Sequence, residues 1–294
     1  MGRMMKRSVV LLMMFFGLVS LGAVEPLLRI EGYPEEKLVG SVKEIREFTG
    51  SSLSDLRISK LIVLNEQGDV SSVEQYTASG LVGAKNIYLY DDAHKLVEII
   101  GTRIDEAGQW RYEYRYNQQG KLREELSWTC DKTLEWRNEY LYGRSGRLVE
   151  KIAYQGTDTE TMRELYRYDD EGRLSQWLIL FPDGKLLKQV EFFYNDLGLV
   201  SEEVYHNENS VYKRKKFFYN KNSLWERVQT VDRDGQSVET TLYFYNAAGQ
   251  LVEEIARKVD GTLKVRRTMS YDYMGNEFAR IDSMGNYLVK EIRY

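Results

Sequence analysis

Five glutamates occupy one position of a recurring pattern: Glu98, Glu124, Glu150, Glu202 and Glu253. A pair of carboxylates is what glycoside hydrolysis requires, one as acid and the other as base or nucleophile. Recurrence points instead to a structural column, because a catalytic pair is unique and a column repeats. His94 and His206 are the only histidines, lie far apart and have no cysteine or second histidine at ligand spacing, so they read as turn residues rather than metal ligands. Asp91-Asp92 and Asp169-Asp170-Glu171 are acidic turns without the ligand count of a calcium loop. Cys130 is the single cysteine, so no disulfide forms within the chain, and no histidine nearby in sequence would activate its thiol. No phosphate loop, nucleophile elbow or metalloprotease helix is present. The expectation is a protein that is not an enzyme and carries no cofactor and no metal.

A different chemistry, apolar contact, is carried by Trp177, Phe193, Phe218 and Phe244. Early in the chain the equivalents of the three phenylalanines are Leu89, Arg115, Leu141 and Arg167; later they become aromatic. The expectation is a stripe that binds a partner, unless the sheet curls over it.

The elements that must place these residues follow from one period. Leu64, Tyr90, Tyr116, Tyr142, Tyr168, Tyr194, Tyr219, Tyr245 and Tyr271 succeed one another at intervals of 26 residues, with a single interval of 25. A period of this length means stacked supersecondary units. Each unit has two turns. One follows the anchor as Asx-x-x-Gly, as in Asn117 to Gly120 and Asp169 to Gly172, which suits a type I turn with a bulge. His94 and Ser223 take the glycine's place in two units. The other turn is Asp-Gly or a looser version, as at Asp183-Gly184 and Asp131-Lys132. Two turns per period leave two antiparallel strands.

Alternation puts Trp110, Tyr112, Tyr114 and Tyr116 on one face and Arg111, Glu113 and Arg115 on the other. Pairing Tyr116 with Leu122 places Tyr114 opposite Glu124, and likewise Tyr88 opposite Glu98, Tyr140 opposite Glu150, Tyr166 opposite Gln176 and Tyr243 opposite Glu253. Phe192 and Phe217 then face Glu202 and Arg227 without a hydroxyl to donate.

The nine registered copies resemble the YD-repeat family, also called RHS-like, whose unit is Tyr-x-Tyr-Asp-x-x-Gly-Arg-Leu. Tyr166 to Leu174 matches every defined position; Tyr88 to Leu96 carries His94 and Lys95, and Tyr140 to Leu148 carries Gly143, at three of them. The resemblance covers about residues 58–294. It implies a β-sheet wound as a shell and no particular activity.

Residues 1–23 are a basic start, an apolar run and a small-residue end, which reads as a secretory signal peptide. The formal charge is −4, and this leader holds three basic residues and no acid, so the remainder is more acidic still. A general nucleic-acid binder is excluded on that ground. The expected organisation is a signal peptide (1–23), an N-terminal cap (24–57) and an array of about eight YD-like repeats (58–294) in an all-β, antiparallel, open but curled meander. The expected role is a periplasmic or cell-surface scaffold that binds protein or glycan and can form homo-oligomers without stable membrane insertion. The alternatives are an outer-membrane β-barrel, against which charges on both strand faces count, and a glycan-active enzyme.

Overall fold

The computed structural model describes residues 38–104, 108–207 and 210–294; the leader and the start of the cap lie outside them. Twenty strands follow in chain order among these residues: β1 (Glu44–Gly50), β2 (Arg57–Leu64), β3 (Val70–Tyr76), β4 (Val82–Tyr90), β5 (Leu96–Arg103), β6 (Trp110–Tyr116), β7 (Leu122–Trp128), β8 (Leu134–Tyr142), β9 (Leu148–Gln155) and β10 (Thr159–Tyr168). The second half holds β11 (Leu174–Leu180), β12 (Leu186–Tyr194), β13 (Val200–Asn207), β14 (Ser210–Tyr219), β15 (Trp225–Asp232), β16 (Ser237–Tyr245), β17 (Leu251–Lys258), β18 (Leu263–Tyr271), β19 (Glu277–Asp282) and β20 (Tyr287–Arg293).

Every strand pairs antiparallel with the strand before and after it, and β1 also pairs with β20, from Glu44 opposite Arg293 to Gly50 opposite Tyr287. The sheet is therefore a closed 20-stranded barrel, which corrects the expected open, curled array. Closure removes the two free edges that so long a sheet would otherwise present for aggregation. Within the expected cap, β1 is a stave of the wall, bonded on one side to β2 and on the other to the last strand.

The turns form as their residues dictate. In the turn after β2, Gly68 donates its amide to the Asn65 carbonyl at 3.0 Å, and the Asn65 side chain accepts from the amides of Gln67 and Asp69. Gly68 sits at φ 88, the left-handed region glycine tolerates. His94 and Ser223 hold the same conformation at φ 58 and 61 without being glycine.

Just past each anchor the ladder shifts by one residue. Tyr116 pairs with Leu122, but Arg115 pairs with Glu124, so Arg123 is an extra, bulged residue. Tyr114 consequently faces Glu125 and not Glu124. The same slip puts Tyr88 opposite Ile99, Tyr140 opposite Lys151, Tyr166 opposite Trp177 and Tyr243 opposite Glu254. Phe192 faces Glu203, and Phe217 faces Val228.

Rows of paired residues also climb. Tyr114 leads across β7 to Asn138, two residues short of Tyr140, the equivalent tyrosine of the next unit. A stagger of two residues per two strands is the ratio found in eight-stranded barrels of shear 8, which tilts strands by roughly 36°. Twenty strands at ~4.8 Å spacing and that tilt give a circular section roughly 38 Å across, backbone to backbone. Cα atoms of each strand come within 8 Å of its two ring neighbours and of no other strand.

Candidate functional site: the two faces of the barrel wall

The tyrosine face is the sheltered one. Tyr88, Tyr114, Tyr140 and Tyr166 are 3–7% exposed and Ile99 is fully buried, whereas Leu89, Leu141, Phe193 and Phe244 on the opposite face are 39–47% exposed. Side chains converge on the concave side of a ring and splay on the convex side, so the asymmetry assigns the tyrosine face to the lumen.

Tyrosine is required there for two reasons. Anchor hydroxyls donate to a backbone carbonyl one hairpin back: Tyr116 to Leu96, Tyr142 to Leu122, Tyr168 to Leu148 and Tyr194 to Leu174, at 2.7–2.8 Å. Their rings carry the basic residue that ends the preceding Asx-Gly turn, as with Lys121 over Tyr142 and Arg173 over Tyr194. The second set of tyrosines meets carboxylates: Tyr140 donates to Glu125, Tyr166 to Glu164 at 2.8 Å and Tyr205 to Glu203. The hydroxyl–carboxylate pairing anticipated from sequence is thus present with other partners.

Glu164 is 4% exposed and is held by Tyr166, by the Trp177 indole at 2.9 Å and by Lys151 at 3.3 Å. Trp177 therefore lies on the tyrosine face, 7% exposed, and does not join the phenylalanine stripe. The bulge past Tyr168 reverses the parity on which its expected position rested. Phe193 and Phe244 do face outward, while Phe218 is half-buried under the Arg227 guanidinium, 3.9 Å from its ring centroid. Phe218, Leu197, Arg227 and Leu242 line a shallow depression of ≈ 660 Å³.

On the convex face the five periodic glutamates are each paired with an arginine: Glu98 with Arg111 at 3.4 Å, Glu124 with Arg115 and Arg123, Glu150 with Arg163 at 2.7 Å, Glu202 with Arg214 at 3.4 Å and Glu253 with Arg266 at 2.6 Å. They form a ladder of ion pairs along that face. For four of the five, the spacing of glutamate and arginine, 12 or 13 residues across one turn, was the signal available in sequence; Glu124 departs from it. His94 meets Asp69 and His206 meets Glu191, both at 3.2 Å. Among the described residues no group of three or more histidine, cysteine or acidic side chains is placed to hold a metal ion. Cys130 is half-buried and unpaired by disulfide. No helix among the described residues is long and apolar enough to cross a membrane, which leaves strands untested.

No family model matches the chain, and no curated protein matches it. Solved structures similar to it include TcdB2-TccC3-Cdc42, at 12% identity and TM-score 0.36 over 78% of this chain and 15% of that one. TcdB2-TccC3 without its hypervariable C-terminal region is similar at 11% identity and TM-score 0.37, over 81% of this chain and 14% of that one. A porin-like protein from Bacteroides uniformis is similar at 10% identity and TM-score 0.40, over 87% of this chain and 99% of that one. The chain spans about 15% of the length of the first of these. At these values they are likenesses only, and the function below is built from the ring itself.

Proposed function

We propose that this protein is a cell-envelope β-barrel of the outer-membrane class, with its function in the lumen and not on a flat binding platform. One observation carries this: the β1–β20 seam, which turns a repeat sheet into a tube. Rings of 16–18 strands already leave an aqueous channel, so 20 strands enclose room for polar solutes. A wall with Lys151, Lys188, Glu203, Lys215 and Glu254 on its concave side suits a wet lumen. The role is non-catalytic passage or retention of solutes, and the YD-repeat likeness describes how the wall is made.

The arginine–glutamate ladder favours a second arrangement, the same barrel standing in water. Arginine or lysine at a bilayer midplane costs ~2–4 kcal/mol each, and the convex face carries Arg111, Arg163, Arg214 and Arg266 along its strands. Carbonate extraction of cell envelopes separates the two. Retention in the pellet, with a band that migrates faster before boiling than after, supports the membrane barrel; release as a folded monomer sinks it and supports the water-filled tube. Fragmentation of the unboiled band into an open, aggregating sheet would sink both.

A further inference from the structure

We propose that Lys188, Lys213 and Lys215 form a site for a multiply charged oxyanion, of the phosphate- or sulfate-ester class, on the concave wall near one mouth of the barrel. Three ammonium groups gather around one ring: Lys213 lies 4.0 Å, Lys188 5.5 Å and Lys215 5.8 Å from the Tyr205 centroid. Lys188 is also 4.8 Å from the Trp177 ring. The strands bring them together from three staves, β12 for Lys188, β13 for Tyr205 and β14 for the other two lysines, with Lys213 paired to Tyr205 and Lys215 to Glu203 in register. The cluster sits close to the turns that follow β11 and β13, which places it toward one rim.

What singles it out is an excess of positive charge: three lysines share one neighbouring carboxylate, Glu203, and none of them makes a contact ion pair with it. Elsewhere on this face cations meet carboxylates: Lys60 meets Glu47 at 3.1 Å, Lys151 meets Glu164 at 3.3 Å and Arg267 meets Glu254 at 2.7 Å. Lys188, Lys213 and Lys215 make no ion pair among the described residues. The acids around them are engaged. Glu203 accepts the Tyr205 hydroxyl, Glu164 holds Tyr166, Trp177 and Lys151, and Glu239 is taken by Lys264 at 2.5 Å. Asp232, opposite Lys213 in the ladder, accepts the amides of Asp234 and Gln236.

Three half-buried like charges against one carboxylate leave a net excess that is costly, and a bound anion is the direct way to offset it. Three ammonium groups suit phosphate or sulfate, which lysine binds as a point charge, better than a lone carboxylate. The aromatic walls of Trp177 and Tyr205 add a flat surface for the sugar or other ring that bears the ester. The barrel proposal supplies only the route of entry; the site is a property of three neighbouring strands.

The test is calorimetric titration of the purified full chain with pyrophosphate, inorganic phosphate, sulfate and acetate at low ionic strength, with thermal unfolding in parallel. Expected is binding in the order pyrophosphate, then phosphate and sulfate, with acetate weakest. Lys213→Gln or Lys215→Gln should weaken pyrophosphate by about tenfold, the loss of one charge-assisted bond, while Lys60→Gln leaves it unchanged. Pyrophosphate should raise Tm of the parent and not of Lys188→Gln/Lys213→Gln, which is itself folded by circular dichroism and at least as stable as the parent without anion. Equal affinity of parent and lysine variants, or no preference for the multiply charged anions, would overturn the site. Carbonate extraction can fail without touching this result, and the reverse holds too.

Discussion

The middle of the wall and its seam solve one problem with different residues. At the position after the turn glycine, the middle repeats place Lys121, Arg147 and Arg173, each laid over the anchor tyrosine of the next unit. The turn after the final anchor, Tyr271, places Asn276 there. Its amide donates to the Val39 carbonyl at 2.8 Å and to the Tyr294 hydroxyl at 2.8 Å, and its oxygen accepts the Val39 amide at 2.7 Å. Tyr294 in turn donates to Asp272. Where a repeat can lean on its neighbour a long cation suffices; where the chain's two ends must meet, a buried amide that reads backbone geometry takes over.

Removing β1 should break that contrast most severely. Deletion of residues 43–50 leaves the partner edges of β2 and β20 bare, and the expected result is loss of the monomeric species in size-exclusion chromatography. A monomer of unchanged compactness would show that the ring does not depend on its seam. Asn276→Ala should cost about 2–3 kcal/mol in denaturant unfolding, because it strips three hydrogen bonds at a residue 4% exposed. Lys121→Ala, at the equivalent middle position, should cost less than about 1 kcal/mol. If the two variants lose the same amount, the seam is no more specialised than the middle.

Within the middle, the two tyrosine sets can be ranked. Tyr166→Phe takes a donor from the buried Glu164 and should cost about 1–3 kcal/mol, whereas Tyr142→Phe loses a bond to a neutral carbonyl and should cost about 0.5–1.5 kcal/mol. His94→Gly and Ser223→Gly relax left-handed residues and should each stabilise by about 0.5–1 kcal/mol. The smallest effect is at the turn that joins β1 to β2. The Ser51 hydroxyl and the Ser52 amide hold the Asp55 carboxyl down to about 2. A lowered carboxyl contributes stability that is complete above its unfolded value, near 4, and is lost as pH falls through about 2. Asp55→Asn should flatten the acid limb of an unfolding curve between those values; an unchanged limb would remove the turn from the seam's stability.

The hairpins, their turns and the positive φ at His94 and Ser223 were legible because each depends on residues a few positions apart. The pairing of Tyr116 with Leu122 was legible for the same reason. Face parity beyond that pair was not, since Arg123 is inserted into the ladder without any change in the local pattern. That slip exchanged Glu124 for Glu125 opposite Tyr114, and its counterpart past Tyr168 moved Trp177 from the outer stripe to the inner wall. The seam was the least visible feature: Arg46 and Glu291 are paired across nearly the whole chain, and no period links them. The glutamate–arginine ladder was half visible, as two periodic series whose mutual contact needed the register.

The climb of two residues per hairpin from repeat to repeat makes calibre an adjustable property. Inserting or excising one 26-residue module leaves the slope of every other stave unchanged and alters the bore by roughly 4 Å. Duplication within such a gene would therefore yield a family of gauges, each finished by the same fastening at its two ends.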